Sequence, residues 1–147
     1  RERGGRGRMT VSIVREFWGH YRFLSNFYRL ANGLTVEHEF QAAKAVHANE
    51  RRWVLEAPTP GEAKRRGRRV ALRPDWEEIK VEVMRTLLRR KFSQPDLREK
   101  LLATGDALLE EGNTWGDQYW GTVGGCGANM LGTLLMEIRD KFRGGVK

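Results

Sequence analysis

The chain has 147 residues, enough for one domain with a sizeable core and too few for two. Its 27 Lys and Arg against 19 Asp and Glu give a formal net charge of +8, which favours an anionic partner as readily as it serves solubility. One cysteine, three histidines and the lack of any apolar run of membrane length rule out an internal disulfide and a membrane helix and argue against a metal site, so a reduced, cytoplasmic protein without cofactor is expected.

Residues 1–8 carry four Arg and one Glu among glycines and read as a flexible basic extension, with the domain proper over 9–147. Residues 12–17 alternate weakly and predict a short strand. Residues 18–28 hold five aromatics, Trp18, Tyr21, Phe23, Phe27 and Tyr28, of which Phe23 and Phe27 suit a core. Ser25 and Asn26 interrupt that run. A hydroxyl and an amide in an aromatic cluster need partners, and a nucleobase or ribose is one such partner. Asn32-Gly33 predicts a tight hairpin joining 29–30 to 34–35.

A helix follows, with Thr35 as its N-cap. On a 3.6-residue period Glu37, Gln41 and Lys44 share a stripe beside the apolar Phe40 and Ala43. In the first turn the helix dipole favours ionised Glu37, which suits a general base or an electrostatic stabiliser; the same spacing also describes a solvated surface. His38 and His47 read as packing or capping residues. Thr59-Pro60-Gly61-Glu62 is a capping box with proline at the first helical position. The helix it opens puts Lys64 and Arg68 on one side, a phosphate clamp or a solvated face, and Gly67 leaves room for a ligand or a neighbouring backbone. Asp75-Trp76-Glu77-Glu78 reads as a second capping box, opening a helix to about Phe92, with Trp76 either anchoring the core or stacking on substrate. Another helix starts near Pro95 and closes at Gly105, and 108–111 reads as a short extended piece. Residues 112–127 hold six Gly, two Trp and a Tyr, a composition for a functional loop. Cys126 in it reads as a spectator thiol. The last predicted element is an amphipathic helix from 129 to 142, closed by Gly144, and its N-terminus suits a phosphate group. The sum is a mostly α-helical single domain with a small β hairpin near the N-terminus.

Glu37-His38-x-Phe40-Gln41-x-x-Lys44 resembles the signature of the NADAR family, the YbiA-like N-glycosidases. The resemblance continues through Leu24-Ser25-Asn26-Phe27-Tyr28, Ala63-Lys64-x-x-Gly67-Arg68, Asp75-Trp76, Lys91-Phe92 and Thr104-Gly105. It ends with Asp117-x-x-Trp120-Gly121 and Gly127-x-Asn129-x-Leu131-Gly132-x-x-Leu135-Met136. Glu39 and the spacer after Gly121 depart from the pattern, which touches substrate choice more than chemistry. The resemblance implies hydrolysis of an N-glycosidic bond, with Glu37, Lys44 and Asp117 as catalytic residues. It implies substrate binding by Ser25, Asn26, Phe27, Gln41, Lys64, Gly67, Arg68, Trp76, Trp120, Gly121 and Asn129. The implied substrate is an ADP-ribosylated guanine in a nucleoside or nucleic acid, or alternatively a ribosylamino-pyrimidine phosphate of riboflavin synthesis. Charge and aromatics alone also allow a nucleic-acid or ADP-ribose binding module without activity. Asp117 keeps an alternative of its own, an Asx-turn, and Lys44 two roles, a Schiff-base amine or a binding ammonium.

Overall fold

The computed structural model describes residues 12–144, so the basic extension at 1–8 lies outside the described residues. Caps and prolines define the helices. Thr35 Oγ accepts the His38 N–H at 3.1 Å and starts α1, Val36–Ala43. His47 precedes α2, Ala48–Leu55. Thr59 Oγ accepts the Glu62 N–H at 3.1 Å and, with Pro60, starts α3, Pro60–Gly67, as the capping box predicts. Then come α4, Trp76–Phe92; α5, Pro95–Ala103, again with proline in its first turn; and α6, Met130–Arg143. A 3-10 helix at Gly19–Leu24 precedes them all. The fold is mostly α.

Two local expectations are corrected. The small sheet is no hairpin: β1, Ile13–Val14, pairs in parallel with β2, Leu108–Leu109, in the register Ile13 to Leu108 and Val14 to Leu109. At Asn32-Gly33 the chain does turn, with the Leu30 N–H donating to Leu34 O at 2.8 Å, but no strands flank it. The arms are too short, since α1 starts at Val36 and consumes the second one. Asp75, for its part, does not cap α4 with its side chain. Arg73 takes that carboxylate in a forked pair, with Nε and Nη2 each 3.0 Å from an oxygen.

The largest buried cluster lies where α4, α5, α6 and β2 meet α1, through Leu24, Phe40, Trp76, Leu88, Leu101 and Leu135. A second cluster of small residues, Ala42, Ala57 and Ala63 around Val54, lets α1, α2 and α3 approach closely. α1 ends because residues 44–46 leave it to bond the segment after α3. The Arg73 N–H donates to Lys44 O at 2.8 Å and the Val46 N–H to Ala71 O at 3.0 Å. That tie holds Lys44 at the mouth of the α1–α3 junction.

Candidate active site

α1 presents its acid and amide inward. Glu37 is 8% exposed and Gln41 5%, and Gln41 Nε2 donates to Glu37 Oε1 at 2.7 Å. The solvated-surface reading of this stripe is therefore excluded for both residues. Burial works against the ionised form that the helix start favours. Desolvation pushes its carboxyl above the ordinary range, and the bond from Gln41 and the charges of Lys64 and Lys44 offset this only in part. The helix start does not compensate, because the Glu37 N–H is already taken by Asn26 O at 3.1 Å. Lys44, half-buried at the end of the same helix, is pushed the other way. Burial lowers its ammonium first, Arg68 and Lys64 add to that, and Glu37 opposes.

Glu111 is the member that sequence reasoning missed. It lies two residues past β2; burial, followed by the charge of Asp117, raises its carboxyl to about 7. Its Oε2 is buried without a hydrogen-bond partner among the described residues. Lys64 and Glu37 act on it as well, so Glu37, Lys44, Lys64, Glu111 and Asp117 form one electrostatic cluster drawn from α1, α3 and the loop before α6. The signal available in the sequence was an acid at the buried end of a predicted extended piece, just before a glycine. No spacing rule links it to Glu37.

The other candidates divide. Asp117 joins the cluster, yet its Oδ1 accepts the Tyr119 and Trp120 N–H groups at 3.0 and 2.9 Å, so the turn-forming alternative is also realised. Lys64 is half-buried beneath Trp115, its Nζ 5.9 Å from the ring centre, while Arg68 is exposed at the end of α3. Ser25 Oγ accepts the Phe27 N–H at 3.0 Å, and Phe27 is 47% exposed. Asn26 is buried, with Oδ1 lacking a partner, and so is Gln41 Oε1. Along with Glu111 Oε2 these account for three of the four such side-chain atoms among the described residues, and a polar ligand is what buried acceptors of this kind can serve. Gly67 admits a neighbour rather than a ligand: a Cβ there would lie 2.1 Å from Gln41 Oε1. Gly121 likewise faces Glu111, whose carbonyl and Oε2 would each lie 2.1 Å from its Cβ.

Three residues expected to bind substrate are engaged in the fold. Trp76 is 4% exposed with its ring 5.0 Å from Phe40, so it anchors the core and has no face for a substrate. Asn129 adopts a left-handed φ of 49° and spends its amide on the fold. Its Oδ1 accepts the Glu111 N–H at 3.0 Å and its Nδ2 donates to Leu109 O at 2.9 Å. It thereby orients Glu111. Trp120 packs edge-on against Phe40 at 5.3 Å and belongs mainly to the core wall. His38 is structural, as expected: its ring bridges Thr35 Oγ at 2.8 Å and Ala57 O at 2.9 Å.

A cleft of about 250 Å³ reaches the cluster at Glu111 and is lined by Glu16, Trp18, Ser25, Asn113 and Trp115 among others. A buried acid, Glu37, a partly buried one, Glu111, and a half-buried lysine in a small helical domain are groups suited to moving protons beside a polar ligand. The NADAR domain matches residues 16–143, and the chain belongs to that family. It is 46% identical over 112 residues to the N-glycosidase YbiA of Escherichia coli, covering 74% of this chain and 69% of that one. It is 40% identical over 154 residues to an N-glycosidase of Nostoc punctiforme, covering 92% and 94%. A riboflavin biosynthesis protein of Vibrio vulnificus is 38% identical over 136 residues, 84% of this chain but 36% of that protein. The solved NMR structure of E. coli YbiA superposes with a TM-score of 0.80 at 39% identity, over 92% of this chain and 87% of that one.

Proposed function

We propose that the chain removes ADP-ribose from ADP-ribosylated guanine by hydrolysing the N-glycosidic bond. Hydrolysis of N-glycosyl bonds is the activity carried in the names of its relatives. The observation that supports the chemistry is that the buried Glu37 and the partly buried Glu111 are both raised from their ordinary values, in one electrostatic cluster with the depressed Lys44. A carboxyl near 7 can give a proton to a leaving nitrogen at neutral pH, and its partner can take one from water. In direct hydrolysis the C1–N bond breaks with its electron pair going to the base nitrogen, which Glu111 protonates. Water then bonds to C1 and loses a proton to Glu37, while the carboxylates stabilise positive charge at C1.

Lys44 offers a second route. If the ribose ring opens, its amine adds to C1, the base leaves as the protonated amine, and a Schiff base remains. Water adds to that C=N bond and releases the sugar and the lysine. Borohydride present during turnover reduces the Schiff base and leaves a ribosyl adduct on the peptide containing Lys44; the absence of an adduct, with activity kept in Lys44→Arg, assigns Lys44 to binding alone. Lys64 and Arg68 supply positive charge for the diphosphate. The deciding experiment is incubation with ADP-ribosylated guanosine, which releases free ADP-ribose on this reading. Turnover of a ribosylamino-pyrimidine phosphate instead would assign the chain to the chemistry named in the Vibrio relative. Binding without turnover of either would leave a binding module.

A further inference from the structure

Lys91 lies in the last turn of α4, where a cation suits the helix dipole and ordinarily stands in solvent. Here it is 1% exposed. It makes no ion pair among the described residues, and burial alone displaces its ammonium. The rings of Tyr28 and Phe92 lie 5.5 and 5.0 Å from Nζ and soften the loss of water without neutralising the charge. An unpaired buried ammonium costs a fold stability that an unbranched apolar side chain of similar length would keep. In return it makes one bond: Nζ donates to Ser25 O at 2.8 Å, across 66 residues of chain.

Ser25 opens a tight turn. Its carbonyl also accepts the Tyr28 N–H at 3.1 Å, and its Oγ accepts the Phe27 N–H at 3.0 Å. Those bonds shape the turn from within, whereas the bond from Lys91 ties it to α4. Inside the turn sits the buried Asn26, whose carbonyl accepts the Glu37 N–H at 3.1 Å and whose Oδ1 has no partner among the described residues. Ser25 itself lines the cleft with Glu111. One ammonium therefore stands behind a turn that both lines the cleft and grips the helix start carrying Glu37. We propose that Lys91 is a positioning residue for the reaction: its ammonium holds the 25–28 turn against α4 and, through Asn26 O, fixes the start of α1 so that Glu37 keeps its place beside the cleft. The proposal deepens the reading of this site and rests on Glu37 acting in it. A shift of about 1 Å in a group set for proton transfer can cost about 100-fold in rate.

The test is Lys91→Met, which keeps an unbranched stem, removes the buried charge and leaves Ser25 O its bond from the Tyr28 N–H. The melting temperature at pH 7 should equal or exceed the parent's, while kcat for release of ADP-ribose from ADP-ribosylated guanosine should fall by about tenfold or more. Amide hydrogen exchange gives a readout that needs no turnover. The Tyr28 and Glu37 N–H groups, both bonded to the turn, should exchange about tenfold or more faster in Lys91→Met, with those of Leu88 and Leu135 in the core no faster than in the parent. A kcat within about twofold of the parent, unchanged exchange at Tyr28 and Glu37, or a lower melting temperature with faster exchange throughout would each make Lys91 a packing residue and overturn the proposal. If the parent itself releases no ADP-ribose, the reading of the cleft falls and exchange alone decides. Acceleration confined to Tyr28 and Glu37 then supports the positioning role; none, or a uniform one, overturns it.

Discussion

Glu37 and Glu111 lie in one site for different reasons, and their substitutions should separate in pH. Glu37→Gln removes the charge with almost no change in volume and keeps an acceptor for Gln41. It should lower kcat by about 100-fold or more while the melting temperature holds, as removal of a positioned proton acceptor does; turnover within a few-fold of the parent would reduce Glu37 to a packing residue. Glu111 is protonated below about 7 and loses its proton as pH rises through that value. A group acting as acid then gives kcat/KM a falling limb near neutrality, and Glu111→Gln should flatten that limb along with lowering the rate. Lys91 makes the opposite kind of prediction, in stability. It is 1% exposed, and burial lowers its ammonium to about 7 in the folded chain, below the ordinary 10.5. Between those values the unfolded chain binds more protons, so stability rises with pH across that window. The melting temperature of the parent should therefore climb from about pH 7 to pH 9 relative to Lys91→Met, and parallel curves would refute the assignment.

α1 and α3 meet where Gly67 faces Gln41, and this contact sets the separation of Lys64 on α3 from Glu37 on α1. A Cβ at residue 67 would stand 2.1 Å from Gln41 Oε1, and one or the other has to move. Gly67→Ala should cost about 1–3 kcal/mol in chemical unfolding, the range for overpacking a closed contact. It should lower activity further than stability alone explains, because Gln41 holds Glu37. The loop between β2 and α6 is organised from its ends. Asn129 grips both Glu111 and Leu109, and Asn113 donates to Asp117 O at 2.8 Å while accepting the Asp117 N–H at 3.0 Å. A loop so rich in glycine keeps one shape because side-chain amides replace the strand bonds it lacks.

For the whole molecule the surplus of positive charge is a kinetic feature. The net charge is +8, and Lys44, Lys64 and Arg68 gather part of it at the junction of α1 and α3. An ADP-ribosyl substrate bears a diphosphate, so kcat/KM should fall as salt is raised from low to moderate ionic strength, with kcat nearly unchanged. A salt-independent kcat/KM would place the charge outside the encounter. Trp76 sets the mechanical scale: Trp76→Ala should lower stability by about 3–5 kcal/mol, consistent with a core anchor shared by α1 and α4.

Helix starts and ends were legible in the sequence because caps, prolines and apolar periodicity are local. Thr35, Thr59 and Pro60, Pro95 and Gly144 stand where those rules put them. The sharing of one stripe by Glu37, Gln41 and Lys44 was equally local. Three things were not. The parallel pairing of residues 13–14 with 108–109 joins segments far apart in the chain, and no nearby turn announces it. The upward shift of Glu37 comes from burial by other elements, which works against the helix dipole that sequence position suggests. Glu111 enters the site only because β2 runs beside β1 and Asn129 fixes its backbone, and Trp76 leaves it because α4 packs that ring on Phe40. The sequence by itself determined which helices form and which charged side chains share α1, since those depend on neighbours a few residues away. Tertiary packing alone decided which acids lose water and face one another, because desolvation is a property of everything that surrounds a group.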